Sequence, residues 1–236
     1  MKVLVCILDG FSFIFSNTFL WFGENMKRLL HMPGTRRGMM YVDVDPITPE
    51  VLSAFFSRKL FYRGRIAKYI WEHVNLPIKV INLPVELPTI YVNVPRPPNW
   101  VDFFTPKKEQ FESTLMQYHR FVLRYGNGFA LIVWYPVPDQ AHHHFFPAIG
   151  DHEAFMKAIR WYDKSAKLAL DLIERFRPQR FLVLGDHSFM SDLEEAEVKG
   201  EKESYHHREA MVLTNFGEPP TRPHLVYNWL RKALLT

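Results

Sequence analysis

Between Val133 and Phe145 the chain reads Val-Trp-Tyr-Pro-Val-Pro-Asp139-Gln-Ala-His142-His143-His144-Phe, an apolar run that ends in prolines and then offers a carboxylate and three imidazoles. Residues 129–134 predict a buried strand. Pro136 and Pro138 bring no N–H to a sheet ladder, so the strand must stop there. Asp139 and His143 are therefore expected on a loop just past a strand's carboxyl end, where open α/β sheets place their chemistry. One carboxylate and one neutral imidazole four residues apart suit zinc or manganese. A solvated histidine-rich loop is the plainer reading of the same residues.

Other segments end in the same residue types. The apolar run 3–8 is followed by Asp9-Gly10, and the run 181–184 by Gly185-Asp186-His187. His206-His207 precede a predicted strand over 210–214, and Thr48-Pro49 open a helix after a predicted strand over 39–44. Thr48 is expected to be that helix's N-cap, with Pro49 at the first helical position. Each group alone has a bland reading. Asp9-Gly10 reads as a turn, Thr48 as a cap, Asp186-His187 as the cap of a following helix, and His206-His207 as exposed loop. Their joint placement at the ends of separate strands is what points to a site, because the carboxyl ends of a parallel sheet share one edge.

The elements that must carry these groups alternate between strand and helix. Helical spacing of apolar residues predicts helices over 24–32, 49–56, 65–73, 107–125, 151–177 and 225–235. In the proline-rich stretch 76–98 only a strand at 89–94 is readable, and the charged segment 192–203 reads as a surface loop. The alternation predicts an α/β fold with a mainly parallel sheet between helical layers, as one domain over residues 1–236.

Bulk properties narrow the function. With 47% hydrophobic residues and 20 Phe the chain has ample material for a core, which excludes a disordered chain. A net charge of +4 without a sustained basic stripe favours small anionic substrates over nucleic acid. Cys6 is the single cysteine, so no intramolecular disulfide forms, and a reducing cytoplasm is the expected setting. It lies inside a strand pattern and is expected to be an inert core thiol. Asp9-Gly10 and Asn17 interrupt the apolar opening of the chain, which therefore reads as a strand and not an export signal. No run approaches the ~18 apolar residues of a spanning helix, so the protein is expected to be soluble.

Taken in order, strand-Asp9-Gly10, Pro46-Ile-Thr48-Pro49, Pro138-Asp139-Gln-Ala-His-His143-His-Phe, Gly185-Asp186-His187-Ser and His206 before Glu209-Ala-Met-Val-Leu resemble the alkaline phosphatase superfamily, nearest its type I phosphodiesterase/nucleotide pyrophosphatase branch. The resemblance spans residues 3–214 and implies a three-layer αβα sandwich. It also implies two divalent metal ions, zinc foremost with manganese or iron as substitutes. Asp139, His143 and His206 would hold one ion; Asp9, Asp186, His187 and the Thr48 hydroxyl would hold the other. His206 is preferred over His207 because it leaves Glu209-Ala210 in step with the family's following strand. Thr48 would be the nucleophile, attacking a phosphodiester or phosphomonoester to give a phosphothreonine that water hydrolyses.

The chain also departs from that pattern. The segment after Thr48 lacks the family's closing Thr-Gly and the diesterase branch's asparagine, and the chain is short. A catalytically inactive member binding an anionic ligand or partner is therefore the competing reading. Sulfatase chemistry ranks below both, since it needs a cysteine or serine where Thr48 stands. Arg36, Arg37, Arg58 and Lys59 read as solvated surface rather than phosphate ligands.

Overall fold

The computed structural model describes residues 1–44, 46, 48–57, 69–84, 110–145, 152–189 and 206–236. Its strands are β1 (Val3–Leu8), β2 (Arg36–Tyr41), β3 (Ile78–Ile81), β4 (Ala130–Tyr135), β5 (Arg180–Leu184), β6 (Ser188–Phe189), β7 (His206–His207) and β8 (Glu209–Thr214). The helices are α1 (Phe13–Phe19), α2 (Glu24–Leu30), α3 (Thr48–Phe56), α4 (Ile70–His73), α5 (Phe111–Tyr125), α6 (Asp139–Phe145), α7 (His152–Phe176) and α8 (Pro223–Leu235).

All six residues of β1 are buried, because β1 lies between β4 and β5 and under helices on both faces. Successive strand residues point to opposite faces. Leu4, Cys6 and Leu8 enter a core built with residues of α1, α2, α5 and α7. Val3, Val5 and Ile7 enter a second core built with α3, α4 and α8. Two cores on one sheet make three layers, as an αβα sandwich requires. Burying each of these branched side chains contributes roughly 1.5–3 kcal/mol. Cys6 is fully buried and its pKa is pushed far above the ordinary thiol range by that burial, which keeps it an inert core thiol.

The sheet order is β2-β8-β5-β1-β4-β3. β3, β4, β1 and β5 run parallel, β8 runs antiparallel to β5, and β2 runs antiparallel to β8, so β2 again points with β1. The reversal of β8 matters for the site. A strand entering in the opposite sense begins at the edge where its neighbours end, so the segment around His206 and Glu209 starts at the carboxyl edge of β1, β4 and β5.

Several expectations shift. The predicted helix over 24–32 ends at Leu30, and the predicted strand over 39–44 begins earlier, at Arg36. Exposed Arg36 and Arg37 hid that edge strand from an apolar pattern; charge on an edge also discourages pairing with another chain. Helix α1 had a cap signal at Ser12 but no helix-forming sequence after it, and strand β3 had no signal that separated it from irregular chain. The predicted strand over 89–94, the loop over 192–203, the start of the 65–73 helix, Arg58 and Lys59 lie outside the described residues. No helix among the described residues is long and apolar enough to cross a membrane.

Candidate metal centre at the carboxyl edge of the sheet

The β1–β4 ladder continues one step past the sheet. Asp9 N–H donates to Tyr135 O at 3.0 Å, and Asp139 N–H donates to Asp9 O at 2.9 Å, which sets the two aspartates side by side. Gly10 then turns the chain with φ +72°, a backbone state that costs glycine nothing. Its N–H donates to Asp186 Oδ1 at 3.0 Å, and His187 N–H donates to the same oxygen at 3.1 Å. One carboxylate oxygen of Asp186 thus fastens the ends of β1 and β5 together. The other, Oδ2, has no hydrogen bond among the described residues and lies 3.8 Å from His187 Nε2.

His187 Nε2 is 3.1 Å from Asp9 Oδ1. The Thr48 hydroxyl completes the cluster, 3.3 Å from Asp9 Oδ1 and 3.3 Å from His187 Nε2. Thr48 was expected as an N-cap with the helix starting at Pro49. Instead α3 includes Thr48, and its hydroxyl turns toward the aspartate and imidazole across the sheet edge. Ligand atoms of Asp9, Asp186 and His187 all lie within 4.8 Å of one another.

The electrostatics of this cluster are unfavourable without a cation. Asp9, Asp139 and Asp186 are all buried. Burial first, then the charges of Asp186 and Asp139, push the Asp9 carboxyl well above the usual carboxylate range. Among the described residues no lysine or arginine pairs with Asp9 or Asp186. Two buried carboxylates, one imidazole and an orphaned carboxylate oxygen form a donor set that fits a borderline divalent ion. Such an ion would replace the proton that the pocket otherwise favours on Asp9.

The remaining sequence candidates divide. Asp139 is not on a loop: it opens helix α6, and Gln140 and His142 N–H groups bond back to Pro136 O and Pro138 O. The prolines ended the strand as expected, but an acidic residue at a helix N-terminus favours immediate helix formation. Asp139 and His143 are therefore one helical turn apart. Asp186-His187 lead not into a helix but into β6, which pairs with β7 so that His206 lies opposite Phe189 and His207 opposite Ser188. The side chains of His143 and His206 lie outside the described residues. Arg36 and Arg37 sit at the start of β2, the far edge from this cluster, where Arg36 pairs with Glu218.

Solved structures share this fold. Human ectonucleotide pyrophosphatase/phosphodiesterase 5 matches with TM-score 0.59 and 11% identity, over 99% of this chain and 95% of its own. Alkaline phosphatase from the Antarctic bacterium TAB5 matches with TM-score 0.57 and 10% identity, over 99% and 98%. The chain has the alkaline-phosphatase fold. The zinc complex of the C-terminal periplasmic domain of EptC from Escherichia coli shares it too, with TM-score 0.52 and 13% identity over 96% of this chain and 75% of that one. Neither a protein-family model nor a curated protein matches the sequence itself. The alkaline-phosphatase fold accounts for the order of strands, helices and strand ends; the chemistry rests on the residues there.

Sequence reasoning missed three residues that hold this edge: Ser12, Tyr162 and Glu209. Tyr162 OH donates to Gly10 O at 2.9 Å, and Ser12 and Glu209 bond to each other across the sheet edge. Ser12 preceding an aromatic run was a readable helix-cap signal. The long-range partners of all three were not readable.

Proposed function

We propose that this protein is a metal-dependent phosphohydrolase that cleaves a small phosphodiester or phosphomonoester with Thr48 as nucleophile. The observation that carries the reading is the Thr48 hydroxyl, 3.3 Å from both Asp9 Oδ1 and His187 Nε2 at the mouth of a buried acidic cluster. Asp9, Asp186 and His187 would hold one divalent cation with the Thr48 oxygen beside it, and Asp139, His143 and His206 a second. Zinc is the first choice, with manganese or iron serving the same donors. Cations held there would supply positive charge against the attacking and leaving oxygens of an in-line displacement.

The chain's own residues then account for the steps. The Thr48 hydroxyl gives up its proton as its oxygen attacks phosphorus. The ester oxygen leaves with the electron pair of the broken P–O bond and takes up a proton to become an alcohol. A phosphothreonine forms, still esterified where the substrate is a diester. Water hydrolyses it, its hydrogen restoring the Thr48 hydroxyl, and releases phosphate from a monoester or a phosphomonoester from a diester. The N-terminus of α3, where Thr48 sits, presents a positive dipole end to the phosphate. An inactive threonine-to-alanine variant of murine ectonucleotide pyrophosphatase/phosphodiesterase 5 is known in complex with AMP, which supports a small phosphate ester as the ligand class. The single cysteine supports a cytoplasmic setting.

The test loads purified protein with zinc or manganese and assays nitrophenyl phosphate mono- and diesters. Thr48→Ala is expected to abolish turnover while leaving zinc uptake in place. Turnover that survives this substitution unchanged removes Thr48 from the mechanism. The absent Thr-Gly after Thr48 favours a second reading, an inactive ligand-binding member of the fold. Bound zinc with no ester cleaved by the wild type selects it.

A further inference from the structure

The turn that carries Asp9 is held by a carboxylate with no place in the proposed chemistry. Glu209, the first residue of β8, is almost fully buried, and both of its oxygens are used. Ser12 Oγ donates to Oε1 at 2.5 Å, and Phe13 N–H donates to Oε2 at 2.6 Å. These contacts reach 197 and 196 residues along the chain, so they join the exit of β1 to the entry of β8. The exit of β5 is tied to the same turn. Phe11 O accepts from Met211 N–H at 2.8 Å, Met211 O accepts from Gly185 N–H at 2.9 Å, and Gly10 N–H reaches Asp186 Oδ1. Tyr162 closes the inner side, donating to Gly10 O while its oxygen lies 3.4 Å from Ser12 N.

We infer that Glu209 is a positioning residue for the cation pocket: by fastening Ser12 and Phe13 to β8 it sets where Asp9 stands relative to Asp186 and His187. The inference rests on the metal-binding reading given above. Asp9 and Ser12 are separated by a two-residue turn with a glycine in it, and such a turn does not hold a ligand atom in place unaided. Outer contacts that orient ligating carboxylates are worth about 10- to 100-fold in metal affinity. A plain helix cap is the competing role, because Ser12 Oγ also accepts from Phe15 N–H at 3.0 Å to start α1. A cap alone contributes to folding and leaves the affinity of the folded protein for metal untouched.

The experiment measures zinc affinity by competition with a chelating indicator, at a temperature where each variant is fully folded, and the zinc-induced rise in melting temperature. Glu209→Gln keeps the shape but sets an NH2 group against one of the two donors. It is expected to weaken zinc binding about 10- to 100-fold and to shrink the zinc-induced rise. Ser12→Ala, which leaves the Phe13 contact in place, is expected to weaken binding in the same direction and serves where Glu209→Gln does not fold. Variants that melt lower yet bind zinc as the wild type does overturn the inference and leave Glu209 a helix cap. A wild type that takes up no zinc overturns the metal-binding reading, and this inference falls with it.

Discussion

Gly185 is the residue whose replacement tests the geometry of the site most directly. A Cβ added there would stand 2.4 Å from Phe11 O and 3.0 Å from Phe11 C and N. All three are backbone atoms, so no side chain can swing aside, and the gap must open by about 1 Å to reach ordinary contact. The turn at Phe11 is not free to give. Its N–H bonds to Leu8 O at 3.1 Å, its carbonyl accepts from Met211, and Gly185 N–H bonds to Met211 O. Overpacking of this kind costs roughly 1–3 kcal/mol, and loosening a buried backbone hydrogen bond adds about 1–3 kcal/mol. Gly185→Ala is therefore expected to lose about 2–6 kcal/mol, lowering the urea midpoint by on the order of 1–2 M. Asp186 follows Gly185 directly, so zinc affinity should fall in the same variant. Gly128→Ala is the control, because its nearest neighbour is a Lys79 side-chain carbon at 3.5 Å and the change should stay within about 0.5 kcal/mol. A Gly185→Ala protein within 1 kcal/mol of wild type, binding zinc equally well, would refute the close packing of the two strand ends.

Three further outcomes are expected. His119 is buried with Nδ1 2.8 Å from Tyr135 Oη and Nε2 3.3 Å from Asp171 Oδ2, and burial, opposed by Asp171, lowers its pKa below 6.5. The unfolded chain then binds this proton more readily, so stability is complete above about pH 6.5 and falls as pH drops through that value. The slope is up to about 1.4 kcal/mol per pH unit. Denaturant midpoints from pH 5 to 7.5 in chelator should show this slope, flattened in His119→Gln. Zinc at a hundredfold excess over its dissociation constant should add about 2.7 kcal/mol, a rise of roughly 5–10 °C in melting temperature, and Asp186→Asn should abolish the rise. Leu172→Ala, in the buried face of α7, should cost roughly 2–5 kcal/mol in unfolding without changing zinc affinity.

What could be read in advance follows from how local each signal is. β1, β4 and β5 are continuous apolar runs, because each is covered on both faces, and each stops at residues that cannot continue a strand. Asp9, Asp186 and Asp139 follow the last residues of β1, β5 and β4 by one, two and four positions, so placing the strands placed the carboxylates. β3 is four residues between Pro77 and Pro84, too short for any period to separate strand from loop. Helix α1 is a harder case. Its sequence, Phe-Ile-Phe-Ser-Asn-Thr-Phe, is poor in helix formers, and Asn17 reads as a breaker. Yet Asn17 Nδ2 donates to Phe13 O within the helix, and the first turn is capped by Ser12 and by a glutamate near the far end of the chain. Short helices of this kind are stabilised by what they pack on, not by propensity.

The direction of β8 belongs to the same class of hidden information. A strand of six buried residues looks alike whether it runs with or against its neighbours, and the ladder with β5 shows that it runs against. That sense decides the site. Had β8 run parallel, Glu209 and the two histidines before it would lie at the opposite edge, some 20 Å away at about 3.3 Å per residue. Residue types at strand ends thus name the chemistry that is available. One reversed strand, bound to the Asp9 turn through Glu209, brings the segment that begins at His206 to the same edge.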